Sequence, residues 1–194
     1  MTSRVKLIDK QYLIGETTIT IFFCQFEMVI IDYSAFLDEF LEKIEELEID
    51  ISQYELDHLG YQCSSTKDYE NKKYEFLGQA KLLDEKVIGG RRVGFLKLYS
   101  PIKYKNRNLS YTINALELIE PKANQKYTSA LEHGEFIIKE SFDDFMRKYP
   151  AINWDTSSIN QQDFPMIKLR LGTQMQVKFH YEHILDIINK LTTN

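Results

Sequence analysis

The residues of this sequence best suited to chemistry are four histidines, His58, His133, His180 and His183, and the carboxylates that accompany them at strand-like spacing. Side chains alternate along a strand, so residues two apart share a face. In Leu56-Asp57-His58-Leu59-Gly60-Tyr61-Gln62-Cys63 this puts His58, Gly60 and Gln62 on one side, and Leu59, Tyr61 and Cys63 on the other. Asp57 is expected to point away from His58. Glu117 shares a face with Ile113 and Ala115. His133 shares one with Glu135, opposite Glu132, Gly134 and Phe136. Gln176, Lys178 and His180 face away from Val177 and Phe179. Four strands thus each offer a metal-capable group, at offsets of 59 (58 to 117) and 47 (133 to 180) residues. Imidazole and carboxylate together suit Zn, Mn, Fe(II), Ni or Co, and two histidines with one carboxylate leave coordination positions open. The candidate metal ligands are His58, Glu117, His133 and His180, and Glu135 is the candidate general base or ligand-orienting group. Taken singly, a strand histidine is more often structural, and Glu117 alone could form an ordinary ion pair. Only convergence would make a site.

Arg91 and Lys97 lie six apart in one expected strand and so project to the same face. They are candidates to hold an anionic substrate through a carboxylate or phosphate. Solvated charges on an outer face are the equal alternative.

Positioning such groups requires strands that return to one sheet. Residues 1–33 read as a strand-rich extension, available as an edge hairpin or a dimer contact, with Met28 a candidate alternative start. Ser34 to Glu48 predicts the clearest helix, with Phe36, Leu37, Phe40, Leu41, Ile44 and Leu47 on one face and Ser34 as N-cap. Strand Leu56–Cys63, a helix opening Lys67–Leu83, a turn at Gly89-Gly90, and strands Arg91–Tyr99 and Leu109–Leu118 follow. After Pro121 the order begins again. Strand Leu131–Lys139, helix Ser141–Tyr149, a hairpin of Pro165–Leu171 and Thr173–His180 and a closing helix His183–Leu191 are expected. Two α+β modules, residues 54–121 and 130–181, therefore face each other within a domain spanning 34–194, closed by a helix over 182–191.

Composition narrows the function classes. With 194 residues, 43% hydrophobic and 27% charged, the chain is expected to fold rather than remain disordered. A net charge of −5 without a basic block disfavours nucleic acid. Cys24 and Cys63 are too few for a disulfide scaffold or a cysteine-based zinc module. The most apolar run, Ile19 to Ile31, is interrupted by Gln25 and Glu27 and falls short of the ~20 residues of a spanning helix. No membrane association and a cytoplasmic location are expected. Gly-rich phosphate loops, nucleophile elbows and CxxC pairs are missing from the sequence.

The ordered segments Leu56–Cys63, Val87-Ile88-Gly89-Gly90-Arg91, Lys97-Leu98, Leu116-Glu117-Leu118, Glu132-His133-Gly134-Glu135 and Val177-Lys178-Phe179-His180 resemble the landmarks of YecM-like proteins, over residues 34–191. The resemblance places the chain with the vicinal oxygen chelate (VOC) superfamily, the glyoxalase, bleomycin-resistance and extradiol-dioxygenase class. It implies an α+β fold of paired βαβββ modules forming a cupped mixed sheet, and a divalent metal held by first and last strands of the modules. By position, His58, Glu117 and His133 match. The fourth place falls in the last strand, where many members carry Glu and this sequence offers Gln176, Lys178 and His180.

The leading expectation is an enzyme whose divalent metal acts as Lewis acid on a small oxygen-rich substrate, by isomerase, lyase or oxygenase chemistry. The alternative is a non-catalytic ligand-binding or interaction protein on the same fold, which the missing acid favours.

Overall fold

The computed structural model describes residues 6–14, 17–25, 31–106 and 109–193. The chain divides into two compact units, Met1–Ile31 and Asp32–Asn194. In the first, β1 (Lys6–Ile14) and β2 (Thr17–Gln25) pair antiparallel from Lys6 with Gln25 to Ile14 with Thr17, as a two-stranded sheet of their own. Met28 lies outside the described residues.

The second unit contains α1 (Tyr33–Glu46), β3 (Glu55–Gln62), α2 (Thr66–Leu77), β4 (Ala80–Ile88), β5 (Arg91–Asn106), β6 (Leu109–Ile119), β7 (Ala130–Ile137), α3 (Phe142–Lys148), β8 (Ile167–Arg170), β9 (Gln176–His180) and α4 (Ile184–Thr193). Seven strands form one mixed sheet in the order β4-β5-β6-β3-β7-β9-β8. In each module the first strand runs parallel to the last, β3 beside β6 and β7 beside β9. The two first strands meet antiparallel at the centre. Among the described residues no helix is long and apolar enough to cross a membrane.

The second module is βαββ, one strand short of the paired βαβββ arrangement expected. The segment that would supply the missing edge carries Pro150 and Pro165 and the turn formers Asp155, Ser157 and Ser158. All that forms there is a single antiparallel bridge between Asp155 and Lys168. Conversely, β4 extends the first module, although its charged Asp84-Glu85-Lys86 hides the strand alternation. It is an edge strand, where exposed charges are tolerated and discourage pairing with another chain. Gly89 and Gly90 turn it into β5 with φ of +58° and +80°, a two-residue hairpin that side-chain-bearing residues rarely adopt.

Helix α1 starts one residue before the expected Ser34, capped by Asp32, whose Oδ1 accepts from Ala35 N at 3.0 Å. Its Leu37, Phe40, Leu41 and Ile44 are buried, while Leu47 is 37% exposed. Phe40 stacks on Phe136, and Phe136 on Phe179, which also packs against Phe145 of α3. Gly134 leaves the space that Phe40 occupies, since a Cβ there would lie 2.8 Å from Phe40 Cζ. Tyr69 of α2 reaches the corresponding space at Gly94. These three helices therefore cover the face opposite His58. Helix α4 covers the other face, where Ile184 and Ile188 join Val93, Phe95, Ala115 and Ile119 in a buried cluster.

Candidate metal centre

The strand register explains how residues far apart in sequence meet. Gly60 pairs with Glu117 on one side and His133 on the other, and His133 pairs with Gln176. In the neighbouring row His58 pairs with Ala115 and Glu135, and Glu135 pairs with Lys178. Adjacent strands lie about 5 Å apart, so side chains from these rows converge above the same face.

One ligand-capable atom from each of His58, Glu117, His133 and Glu135 lies within 4.8 Å of all the others. His58 Nε2 is 3.7 Å from Glu117 Oε1 and 3.4 Å from Glu135 Oε1. His133 Nε2 is 3.3 Å from Glu117 Oε2 and 3.3 Å from Glu135 Oε1. Both imidazoles are fully buried, and Glu117 keeps 12% of its side chain exposed. Gly60 makes the convergence possible, because a Cβ there would stand 2.0 Å from His133 Cε1.

Each imidazole is held from behind by the acid that precedes it. His58 Nδ1 lies 2.8 Å from Asp57 Oδ2, and His133 Nδ1 lies 3.0 Å from Glu132 Oε2. Strict alternation places Asp57 and Glu132 on the opposite face; the structure corrects both placements. The β3–β7 register skips residue 57 between Leu56 and His58, and skips residue 132 where Gly60 and Tyr61 meet His133 and Leu131. A bulge of this kind lets two successive side chains emerge on one side. With Nδ1 tied to the acid behind it, each ring turns Nε2 into the cluster, where a bound ion would take the place of the Nε2 proton. Among the described residues His58 Nε2 has no well-aligned hydrogen-bond partner, only Glu135 Oε1 at 3.4 Å and Glu117 Oε1 at 3.7 Å, and so faces into the group. Two imidazoles and two carboxylates so arranged could hold a divalent ion.

Lys178 supplies positive charge to the same place. Its Nζ is 2.5 Å from Glu135 Oε1, 3.0 Å from His133 Nε2 and 3.9 Å from Glu117 Oε2. Nothing in the spacing of one lysine on a strand distinguishes it from a surface residue, so its place here is visible only from the register. Burial disfavours charge throughout the cluster, but the opposite charges outweigh it. The His58 imidazole is pushed up to about 10 by Glu135, Asp57 and Glu117. That of His133 is pushed up to about 9 by Glu117, Glu132 and Glu135, against burial and Lys178. Against burial, Lys178 and the histidines hold Glu117 below the usual carboxylate range and Glu135 well below it.

His180 belongs to a second group with Asp57 and His58. Its Nε2 is 3.6 Å from Asp57 Oδ2, has no hydrogen bond, and burial lowers its basicity. Asp57 is the hub there, accepting from Ile184 N at 2.9 Å and lying 3.0 Å from His183 Nδ1. Glu117, Glu135, Lys178, His180 and Arg91 all line one cavity of about 430 Å³. Lys97 is exposed and outside that lining.

Residues 25–190 match the family described as YecM protein. A protein of Haemophilus influenzae (strain ATCC 51907 / DSM 11121 / KW20 / Rd), described as uncharacterized, is 32% identical over 108 residues, 53% of this chain and 54% of its own. The chain thus spans about half the length of that curated relative. The solved structure described as Structural Genomics, Protein EC4020 shares the fold, with a TM-score of 0.61 at 21% identity, over 80% of this chain and 89% of its own. Hypothetical protein BH1468 from Bacillus halodurans C-125 aligns with a TM-score of 0.45 at 16% identity, over 67% of this chain and 95% of its own.

Proposed function

The chain belongs to the YecM family, and we propose that it is a divalent-metal protein on a VOC-like fold, acting on a small oxygen-rich molecule that enters the cavity beside the cluster. The observation that carries this reading is the mutual approach, within 4.8 Å, of His58, Glu117, His133 and Glu135 from three different strands. His58, Glu117 and His133 would hold the ion. Glu135, about equally near both imidazoles, would be a fourth ligand rather than a base, because its ion pair with Lys178 leaves the carboxylate a poor proton acceptor. Zn, Mn, Fe(II), Ni and Co all suit this donor set. When bound, such an ion supplies Lewis acidity to a substrate oxygen. The chain's own part is to orient both imidazoles through Asp57 and Glu132, to exclude water by burial, and to leave the Glu117 side open to the cavity.

Lys178 favours a second reading, a metal-free ligand-binding protein in which the ammonium is the resident cation. Metal analysis of protein purified without chelating resin or a histidine tag separates the two. Near-stoichiometric metal that falls at least tenfold in His58→Ala and Glu117→Ala supports the metal reading. Metal-free wild-type protein that also fails to take up added zinc or manganese overturns it.

A further inference from the structure

Arg91 and Arg92 are adjacent in sequence but differ in what they contact. Arg92 is committed to protein partners. It bonds Glu120 through Nε at 3.0 Å and Nη2 at 3.1 Å and Glu70 through Nη1 at 2.6 Å, and its guanidinium lies 4.5 Å from the Tyr69 ring centre. Arg91 lines the cavity; no carboxylate of the described residues is in ion-pair contact with it, though its charge reaches Glu132 and helps lower that carboxyl. Among the described residues its side chain donates from Nη1 to Gln62 Oε1 at 2.9 Å.

That bond is imposed rather than incidental. Gln62 is fully buried on the same strand face as His58 and Gly60. Its amide nitrogen donates to Cys63 O at 2.9 Å and to Ile119 O at 3.2 Å. The amide orientation is thereby fixed, and Oε1 can only accept. It fixes one edge of the guanidinium and leaves the remaining N–H groups of a five-donor fork available. Lys122 also lines the cavity, whereas Lys178 lines it as the partner of Glu135. Part of the lining is apolar. Phe164 stacks on Phe95 at 5.9 Å, and Ile184 and Ile119 belong to the buried cluster beneath α4.

We propose that this cavity binds a small organic acid, its carboxylate gripped by Arg91 and its apolar body lying along Phe164 and Ile184. This deepens the reading above by naming the substrate class of the same site. At about 430 Å³ the cavity lies near the small end of the roughly 300–1,000 Å³ usual for ligand sites. A planar fork with one edge already fixed recognises a carboxylate through paired parallel hydrogen bonds, and the ordering cost is met before the ligand arrives.

The test is titration calorimetry of the full chain with phenylacetate, with its neutral isostere phenylacetamide, and with inorganic phosphate. Zinc content is measured on the same samples by mass spectrometry. Phenylacetate is expected to bind at least tenfold more tightly than the amide or phosphate, and Arg91→Gln is expected to weaken it about tenfold or more while the variant remains folded and keeps its zinc content. Equal binding of acid and amide, tighter binding of phosphate, or undiminished binding by folded Arg91→Gln would overturn the assignment. Acid binding to wild-type protein that holds no divalent metal and takes up neither added zinc nor manganese would sustain the carboxylate assignment while removing the metal reading.

Discussion

The imidazole of His133 occupies the space where Gly60 has no side chain: a Cβ on Gly60 would fall 2.0 Å from His133 Cε1 and 2.2 Å from Nε2. Gly60→Ala therefore forces the ring out of the cluster and off Glu132. It is expected to cost about 1–3 kcal/mol of stability, as overpacking does, and to reduce bound metal at least tenfold. Gly134→Ala is the matched control, because its Cβ would press on Phe40 on the opposite face. That variant should lose stability while the folded protein keeps its metal affinity. Urea unfolding and metal analysis of both variants decide the matter; equal metal loss in the two would refute a local effect of Gly60.

Lys178 shares with His58 and His133 the neutralisation of Glu117 and Glu135. Replacing it by Met leaves two buried carboxylates without their ammonium. Removing one partner from a buried ion pair typically costs about 3–5 kcal/mol, so metal-free Lys178→Met is expected to be destabilised by that order. A divalent ion supplies the same neutralisation and meets no competing ammonium. Zinc affinity should rise about tenfold or more, and zinc should raise the melting temperature further in the variant than in wild type. A smaller zinc-induced shift in Lys178→Met would count against metal occupying this cluster.

Away from the site, Glu120 provides a pH-dependent contribution with a definite sign. Hydrogen bonds from Arg92 hold its carboxyl down to about 2, below the ordinary value of 4.5. A carboxyl more acidic in the folded than in the unfolded chain stabilises the fold above the unfolded value. That stabilisation declines as pH falls from 4.5 through about 2. Glu120→Gln should therefore be less stable than wild type near neutrality, by about 1 kcal/mol for a partly exposed pair, and the gap should close across that window. Denaturant unfolding of both proteins at several pH values measures it. A gap that persists undiminished to pH near 2 contradicts the ion-pair origin.

Much of this arrangement is readable from residue order. Alternation places His58, Gly60 and Gln62 on one face, and His133 with Glu135, and the register brings those residues together with Glu117. What alternation misses has a single cause. A bulge changes the phase of a strand, and no residue type around Asp57 or Glu132 announces one. The two acids that orient the imidazoles are therefore assigned to the wrong side by any rule of two. Lys178 is missed for a different reason: its partners lie 43 and 45 residues away on the neighbouring strand. The absent strand of the second module is partly legible in Pro150 and Pro165. Strand β4 is not, because the charges of an edge resemble those of an exposed helix face.

The bulged acids separate two roles that the site combines. Glu132 bonds His133 and accepts from Gln176 Nε2 at 2.5 Å, both within the sheet. Asp57 bonds His58 but also accepts from Ile184 N, the first residue of α4, and approaches His183. Asp57 thus ties a candidate metal ligand to the helix that covers the site face. Glu132→Gln and Asp57→Asn each keep the side-chain size and remove the charge behind one imidazole. Loss of such an outer partner typically weakens metal binding about 10–100-fold, and both variants are expected to show it. Only Asp57→Asn should also loosen α4, because the negative charge at the helix start is lost even though an amide oxygen can still accept from Ile184 N, with a cost of about 0.5 kcal/mol and faster amide exchange across residues 184–193. Hydrogen exchange of the two variants without metal resolves the difference. Matching exchange over α4 would mean that the helix is held independently of Asp57, and that the metal site and its cover are not coupled through that carboxylate.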